Sequence, residues 1–179
     1  ATLAADEALA WTLRAGALCN DASVHQDESG QWQVVGDPTE AALIVAAAKA
    51  GLAADDLRRR YPRVDSIPFT SARQHMATQH AWGDSGEGGV VVAKGGVERI
   101  LALCGAQLDA AGKSVRLDRE AVLHQAATLA ETGLRVLAVA VLRVEPGWRF
   151  EGETLAGRLD LAGLQAMLDP PRPAAVAAV

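Results

Sequence analysis

"LRVLAVAVLRV", residues 134–144, is the stretch on which the fold turns. Nine of its eleven residues are Leu, Val or Ala in a nearly unbroken apolar run, and four are β-branched valines, which predicts a central strand buried on both faces. Working outward, Asp118 predicts the cap of a helix through about Thr132, with Gly133 stopping it just before that strand. Downstream, "LDLAGLQAML" (159–168) is a second strand candidate. The "DPPRP" of 169–173 then breaks the pattern, because adjacent prolines neither continue a strand nor sit inside a helix.

Upstream, "VVVAKGG" (90–96) reads as a buried strand ending in glycines, followed by a short helix in "VERILALC" and a turn in "DAAGK" (109–113). "RVDSIPFT" (63–70) and "RQHMATQHAW" (73–82) are strand-like, and "GDSGEGG" (83–89) is loop by composition. "SVHQDESGQWQVVG" (23–36) reads as a hairpin turning at Glu28-Ser29-Gly30. Residues 5–19 predict a helix with Leu9, Leu13 and Ala17 on one stripe, and "ADDLRRRYP" a short charged one. "GDPTEAALIVAAAKAG" (36–51) opens a longer helix. Asp37 suits the N-cap, Pro38 the first helical position, and Glu40, three residues after the cap, the return arm of a capping box. Hairpins mixed with helices, rather than strict alternation, predict an α+β fold: a twisted, mostly antiparallel sheet flanked by helices.

The 179 residues suffice for one domain with a sizeable core. A net charge of −5 gives no electrostatic support to a nucleic-acid partner. Cys19 and Cys104 have no metal or disulfide spacing and read as small buried side chains of a reducing compartment. No apolar run approaches the roughly 18 residues of a membrane span, and the N-terminus has no basic-then-apolar leader.

Several motifs dissolve on inspection. "GKS" (112–114) lacks the glycine that a phosphate loop needs at position 107, which is Gln. His25, His75, His80 and His124 share no ligand spacing and read as surface histidines, and "RRR" (58–60) reads as a solvated helix end. No G-x-S-x-G elbow is present. Four stretches remain: "GDPTE", "IPFTSARQHM", "AKGGVE" and "DPPR". Each has a plain reading: Phe69 as core, Lys94 as a solvated strand end, Arg135 as a cation snorkelling from an apolar strand and needing a partner.

In this order and spacing, with "LCNDASV" (18–24) ahead and "GLRVLAVA" (133–140) behind, these stretches resemble the nucleotide-binding domain of a P-type cation-transporting ATPase. The resemblance implies an ATP pocket with Thr39 and Glu40 at its mouth and Phe69 stacking on adenine. It puts Lys94 and Gly95 at the pocket floor, Arg73 and Arg135 among the phosphate-facing cations, and Leu137 in the wall. Asp169, Pro170, Pro171 and Arg172 match a hinge, so the domain would occupy 1–168 and the return toward the phosphorylation domain 169–179.

It further implies ATP or ADP as ligand, Mg-ATP in the parent pump, and phosphorylation and actuator domains as partners. The phosphorylated aspartate would lie outside these residues. A monomer without membrane contact of its own would sit at the cytoplasmic face of a membrane, in a bacterium the plasma membrane. Ser71 and Gln74 stand where many relatives carry cations, and Gly96 and Val97 depart from the usual "KGAPE", which implies a weaker phosphate grip. With one stacking aromatic, one lysine and few arginines, the expected dissociation constant is about 0.1–5 mM. No histidine precedes a proline, so the motifs match the calcium/sodium/proton-type branch rather than the heavy-metal one. Two other readings are a regulatory or interaction domain of the same fold that has lost nucleotide binding, and a free-standing phosphatase or phosphotransferase. The second lacks a D-x-D nucleophile motif.

Overall fold

The computed structural model describes residues 3–82, 88–148 and 155–168, except the side chain of Ala4. The glycine-rich loop expected at 83–89 falls largely outside these, and the expected hinge at 169–172 entirely so.

After a short 3-10 turn at Leu3–Ala5 come α1 (Glu7–Leu18), β1 (Ser23–Gln26), β2 (Trp32–Val35), α2 (Pro38–Lys49), α3 (Ala54–Arg60) and β3 (Arg63–Ile67). They are followed by β4 (His75–Ala81), β5 (Gly89–Gly95), α4 (Val97–Leu103), β6 (Cys104–Leu108), β7 (Ser114–Arg116), α5 (Arg119–Glu131), β8 (Leu134–Val144) and β9 (Leu159–Leu168). The main sheet has seven strands in the order β3-β4-β5-β8-β9-β6-β7. Every neighbouring pair is antiparallel except β6 and β9. The α+β reading holds, with β8 at the middle of the sheet.

Helices cover both faces. One core layer gathers α4 and α5 against Ala77, Val91, Ala93, Ala138 and Ala140. The other gathers α1 and α2 against Met76, Val90, Val92, Val139 and Val141. The register sets Ala77 beside Ala93 and Ala93 beside Ala140, so three fully buried alanines form a row across β4, β5 and β8. Small side chains there let α4 lie close to the sheet.

Three sequence expectations change. The hairpin at 23–36 forms, turning where expected, but as a separate two-stranded sheet whose β2 is exposed throughout. It sits beside α2 and adds nothing to the main sheet. Along α1 the deeply buried face runs through Trp11, Ala15 and Leu18, while Leu9 is exposed. The helix packs on α2 and on the sheet at once, so the contact arc is not the simple stripe of three.

Finally, His75 and His80 are buried rather than on the surface. His80, 2% exposed, hydrogen-bonds the Tyr61 carbonyl at 2.9 Å and the Thr78 hydroxyl at 2.8 Å. β4 is covered on both sides, so its alternating pattern does not separate an inner from an outer face. Burial pushes the His80 pKa down to about 4, and burial likewise lowers that of His75. The unfolded chain therefore takes up protons that the folded chain refuses. Stability contributed by a neutral His80 is present above the unfolded value near 6.5 and is lost as pH falls toward 4. Urea midpoints should fall across this window in the unchanged chain and fall less in His80→Gln. Equal slopes would remove His80 as the cause.

Candidate functional site

The first turn of α2 is the centre of the site. Asp37 accepts the Thr39 and Glu40 amide hydrogens at 2.7 and 3.3 Å, as the N-cap expectation required. Burial would raise its pKa, but the Thr39 hydroxyl and these amides outweigh that and lower it. The capping-box expectation for Glu40 fails, because its carboxylate turns elsewhere. Oε1 accepts from Lys94 Nζ at 2.6 Å, and Oε2 accepts the Asp21 N–H at 3.0 Å. A tertiary cation and an otherwise unpaired amide outcompete the local return arm.

Lys94 is 6% exposed, which overturns its plain reading as a solvated strand end. It lies near the end of β5, where pairing puts Met76 on one side and Val139 on the other. A cation in such surroundings requires a counter-charge, and Glu40 supplies it. Arg135, near the start of β8, reaches up to the same helix turn and donates to the Thr39 hydroxyl at 2.7 Å. Arg135, Leu137 and Val139 alternate onto one face of β8, so Leu137 lies between the arginine and the residue paired with Lys94. Thr39, Glu40, Lys94, Leu137 and Arg135 are thus brought together from three elements.

Phe69 and Arg73 lie in the 68–74 connection between β3 and β4, at the same end of the sheet. Phe69 is 59% exposed, so it is not the core residue of the plain reading. Arg73 folds back on its own loop, donating to the Pro68 carbonyl at 2.8 Å. The loop is fastened to the end of β5 through Gln74, whose carbonyl accepts the Gly96 N–H at 3.1 Å. Gln74 takes φ +56, uncommon for a residue with a side chain. Gly95 makes this approach possible, since a Cβ there would run into the Gln74 carbonyl and lie 2.8 Å from His75 Cα. Gly96 differs, since an added Cβ there would meet open space.

The stretch "LCNDASV" suggests no role for Asn20 or Asp21, yet both touch Glu40. The signal available was an Asn just past a helix end, a residue type that serves backbone groups at such places. A cavity of about 390 Å³ lies near this loop, lined by Leu18, Asn20, Asp21, Tyr61, Arg63 and His80 among others, and by none of the expected site residues. Both cysteines are buried, and burial pushes their pKa values up to about 11 for Cys19 and about 12 for Cys104, so neither is a reactive thiolate. Among the described residues no group of three or more His, Cys, Asp or Glu could hold a metal ion.

Residues 8–174 match the family model described as the P-type ATPase cytoplasmic domain N. The chain belongs to this family. Similar proteins include the probable cation-transporting ATPase F of Mycobacterium tuberculosis, 48% identical over 98% of this chain and 19% of that protein. The cation-transporting ATPase pma1 of Synechocystis is 44% identical over 93% of this chain and 18% of its own length. The sodium/potassium exporting P-type ATPase cta3 of Schizosaccharomyces pombe is 36% identical over 89% and 15%. The N domain described here therefore spans about a fifth of the first two relatives and less of the third. No helix among its described residues is long and apolar enough to cross a membrane.

Proposed function

We propose that this N domain binds ATP at the α2 turn and presents it to an aspartate in a separate domain of a longer cation pump. The observation that carries the reading is the double tie of one helix turn: Glu40 on Lys94 at 2.6 Å and Thr39 on Arg135 at 2.7 Å. It sets a lysine, an arginine and an apolar wall at the sheet end that also carries an exposed phenylalanine. An adenine needs a flat apolar face, which Phe69 offers, and phosphate oxygens need the planar fork of an arginine. Arg73 and the Gly95–Gly96 backbone complete the proposed pocket.

The donor set suits a Mg-bound triphosphate whose ion arrives with the nucleotide. The parent pump would supply phosphorylation and actuator domains, with Asp169, Pro170, Pro171 and Arg172 as the hinge after a domain spanning 1–168. The domain would act as a monomer at the cytoplasmic face of the membrane and, alone, would bind nucleotide without turning it over.

Titrating ATP into the chain while following amide NMR shifts tests this. Shifts concentrated at Thr39, Phe69, Lys94 and Arg135, with a dissociation constant of about 0.1–5 mM, are expected. Silence at these positions at 10-fold higher nucleotide, roughly 50 mM on that scale, favours the second reading, a domain that has lost its ligand. Ser71 and Gln74, in place of cations, are the observation behind that alternative.

Arg135→Ala separates charge from base recognition. It should weaken ATP and ADP by about fivefold, as for an exposed ion pair near 1 kcal/mol, and change AMP by less than about twofold. The ATP effect should shrink as salt rises, because an exposed cation is screened within about 8 Å at physiological ionic strength. Calorimetry at two salt concentrations measures both. Equal losses for all three nucleotides would move Arg135 to the base.

A further inference from the structure

Asn20 is a polar side chain only 2% exposed, and every polar atom of its amide is engaged. Nδ2 donates to the Gly16 carbonyl at 3.1 Å and to the Glu40 carbonyl at 2.8 Å. Oδ1 accepts the Ala22 N–H at 2.9 Å. One side chain thus joins the last turn of α1, the loop that follows it and the first turn of α2. The next residue in that loop, Asp21, gives its N–H to the Glu40 carboxylate. The far side of the loop is pinned by Arg63, which donates to the Leu18 carbonyl at 3.1 Å, the Asn20 carbonyl at 2.6 Å and Asp21 Oδ1 at 2.6 Å.

These contacts converge on one carboxylate. Glu40 is held at its backbone by Asn20 and at one side-chain oxygen by Asp21, and its other oxygen holds Lys94. We propose that Asn20 is a positioning residue for nucleotide: it fixes the 20–22 loop and the α2 turn so that Glu40 keeps Lys94 in place at the proposed base pocket. This rests on the ATP-site reading above. Without the Asn20 amide, the Ala22 N–H loses its acceptor, the Glu40 carbonyl loses the donor that ties the α2 turn to the loop, and the Asp21 N–H is no longer set. The Glu40 carboxylate, already partly open to water, can then rotate off the lysine. Asn20 need not touch nucleotide to matter to it. Its effect passes through Glu40, and that dependence can be measured.

The test is a double-mutant cycle on AMP affinity in the full chain. AMP carries the adenine without the outer phosphates. Asn20→Ala should weaken AMP by about fivefold in the unchanged background and by less than about twofold in Glu40→Gln, because the residue acts through a carboxylate already removed. A general loosening of the fold would weaken AMP equally in both backgrounds, and that result, or no effect in the first, overturns the proposal. If Asn20→Ala does not fold, Asn20→Ser replaces it. In the unchanged chain the Asn20 side-chain amide resonances should also move with AMP along the same saturation curve as the Glu40 amide, and fixed resonances overturn the proposal too. Failure of the ATP-site reading is distinguishable, since the unchanged chain would then show no saturable shifts with AMP or ATP before any substitution is made.

Discussion

Glu40→Ala should destabilise the chain by about 3–5 kcal/mol, the range for removing one partner of a buried ion pair. The Lys94 side chain is 8% exposed and that of Glu40 18%, so neither is a surface charge screened by water. Truncating Glu40 leaves an ammonium among Met76, Val92 and Val139 with no counter-charge, and strips the Asp21 N–H of its acceptor as well. Lys94→Met should cost less, because an unbranched apolar chain of similar length fills the same space and Glu40 keeps both the Asp21 N–H and some access to water. Glu40→Gln should fall between the two.

The pair Glu40→Ala with Lys94→Met should be more stable than Glu40→Ala alone, since the second change removes the stranded charge. Urea unfolding of the four variants measures this. A cost for Glu40→Ala below about 1 kcal/mol would mean that the pair is solvated and behaves as a surface bridge.

Phe69→Ala should do the reverse, sparing the fold and weakening the proposed nucleotide binding. The ring is mostly exposed, so the stability change should stay within about 0.5 kcal/mol. Base–aromatic stacking is worth roughly 1–3 kcal/mol, so affinity should fall by about 5- to 150-fold. The factor should be similar for ATP, ADP and AMP, which share the adenine, and nearly independent of salt, which screens charge rather than apolar contact. Calorimetric titration of the three nucleotides, beside a melting curve, gives both quantities. Unchanged affinities in a folded variant would remove Phe69 from the site and with it the main support for base recognition here.

The parts of this fold that were legible in the sequence are those whose causes are local. The β8 run is apolar at nearly every position because both of its faces are covered, and Asp37 and Asp118 sit at caps because a short carboxylate serves the free amides of a first turn. Glu40 shows the limit of such reasoning. Its spacing from Asp37 fits a capping box, and only the folded chain brings Lys94, 54 positions on, within reach. The exposure of β2 and the parallel pairing of β6 with β9 are likewise products of packing between distant segments, and no window of sequence contains them. At the site, family resemblance named Thr39, Lys94 and Arg135, and geometry then joined them. Asn20 needed the geometry, because an amide that bonds three backbone groups leaves no periodic trace.

The row of alanines across β4, β5 and β8 bears on how such a chain can drift over generations. Ala77, Ala93 and Ala140 are fully buried side by side, in one core cluster with Ile100 and Leu101 of α4. Enlarging any one by even two methyl groups overpacks the layer, at a cost of about 1–3 kcal/mol. A larger residue in the row becomes acceptable only if Ile100 or Leu101 on the facing helix shrinks in step. Change in this layer should therefore come in matched pairs, whereas the exposed 68–74 loop can vary one residue at a time. If the loop holds the base as proposed, nucleotide preference can be retuned there while the sheet beneath it stays as it is.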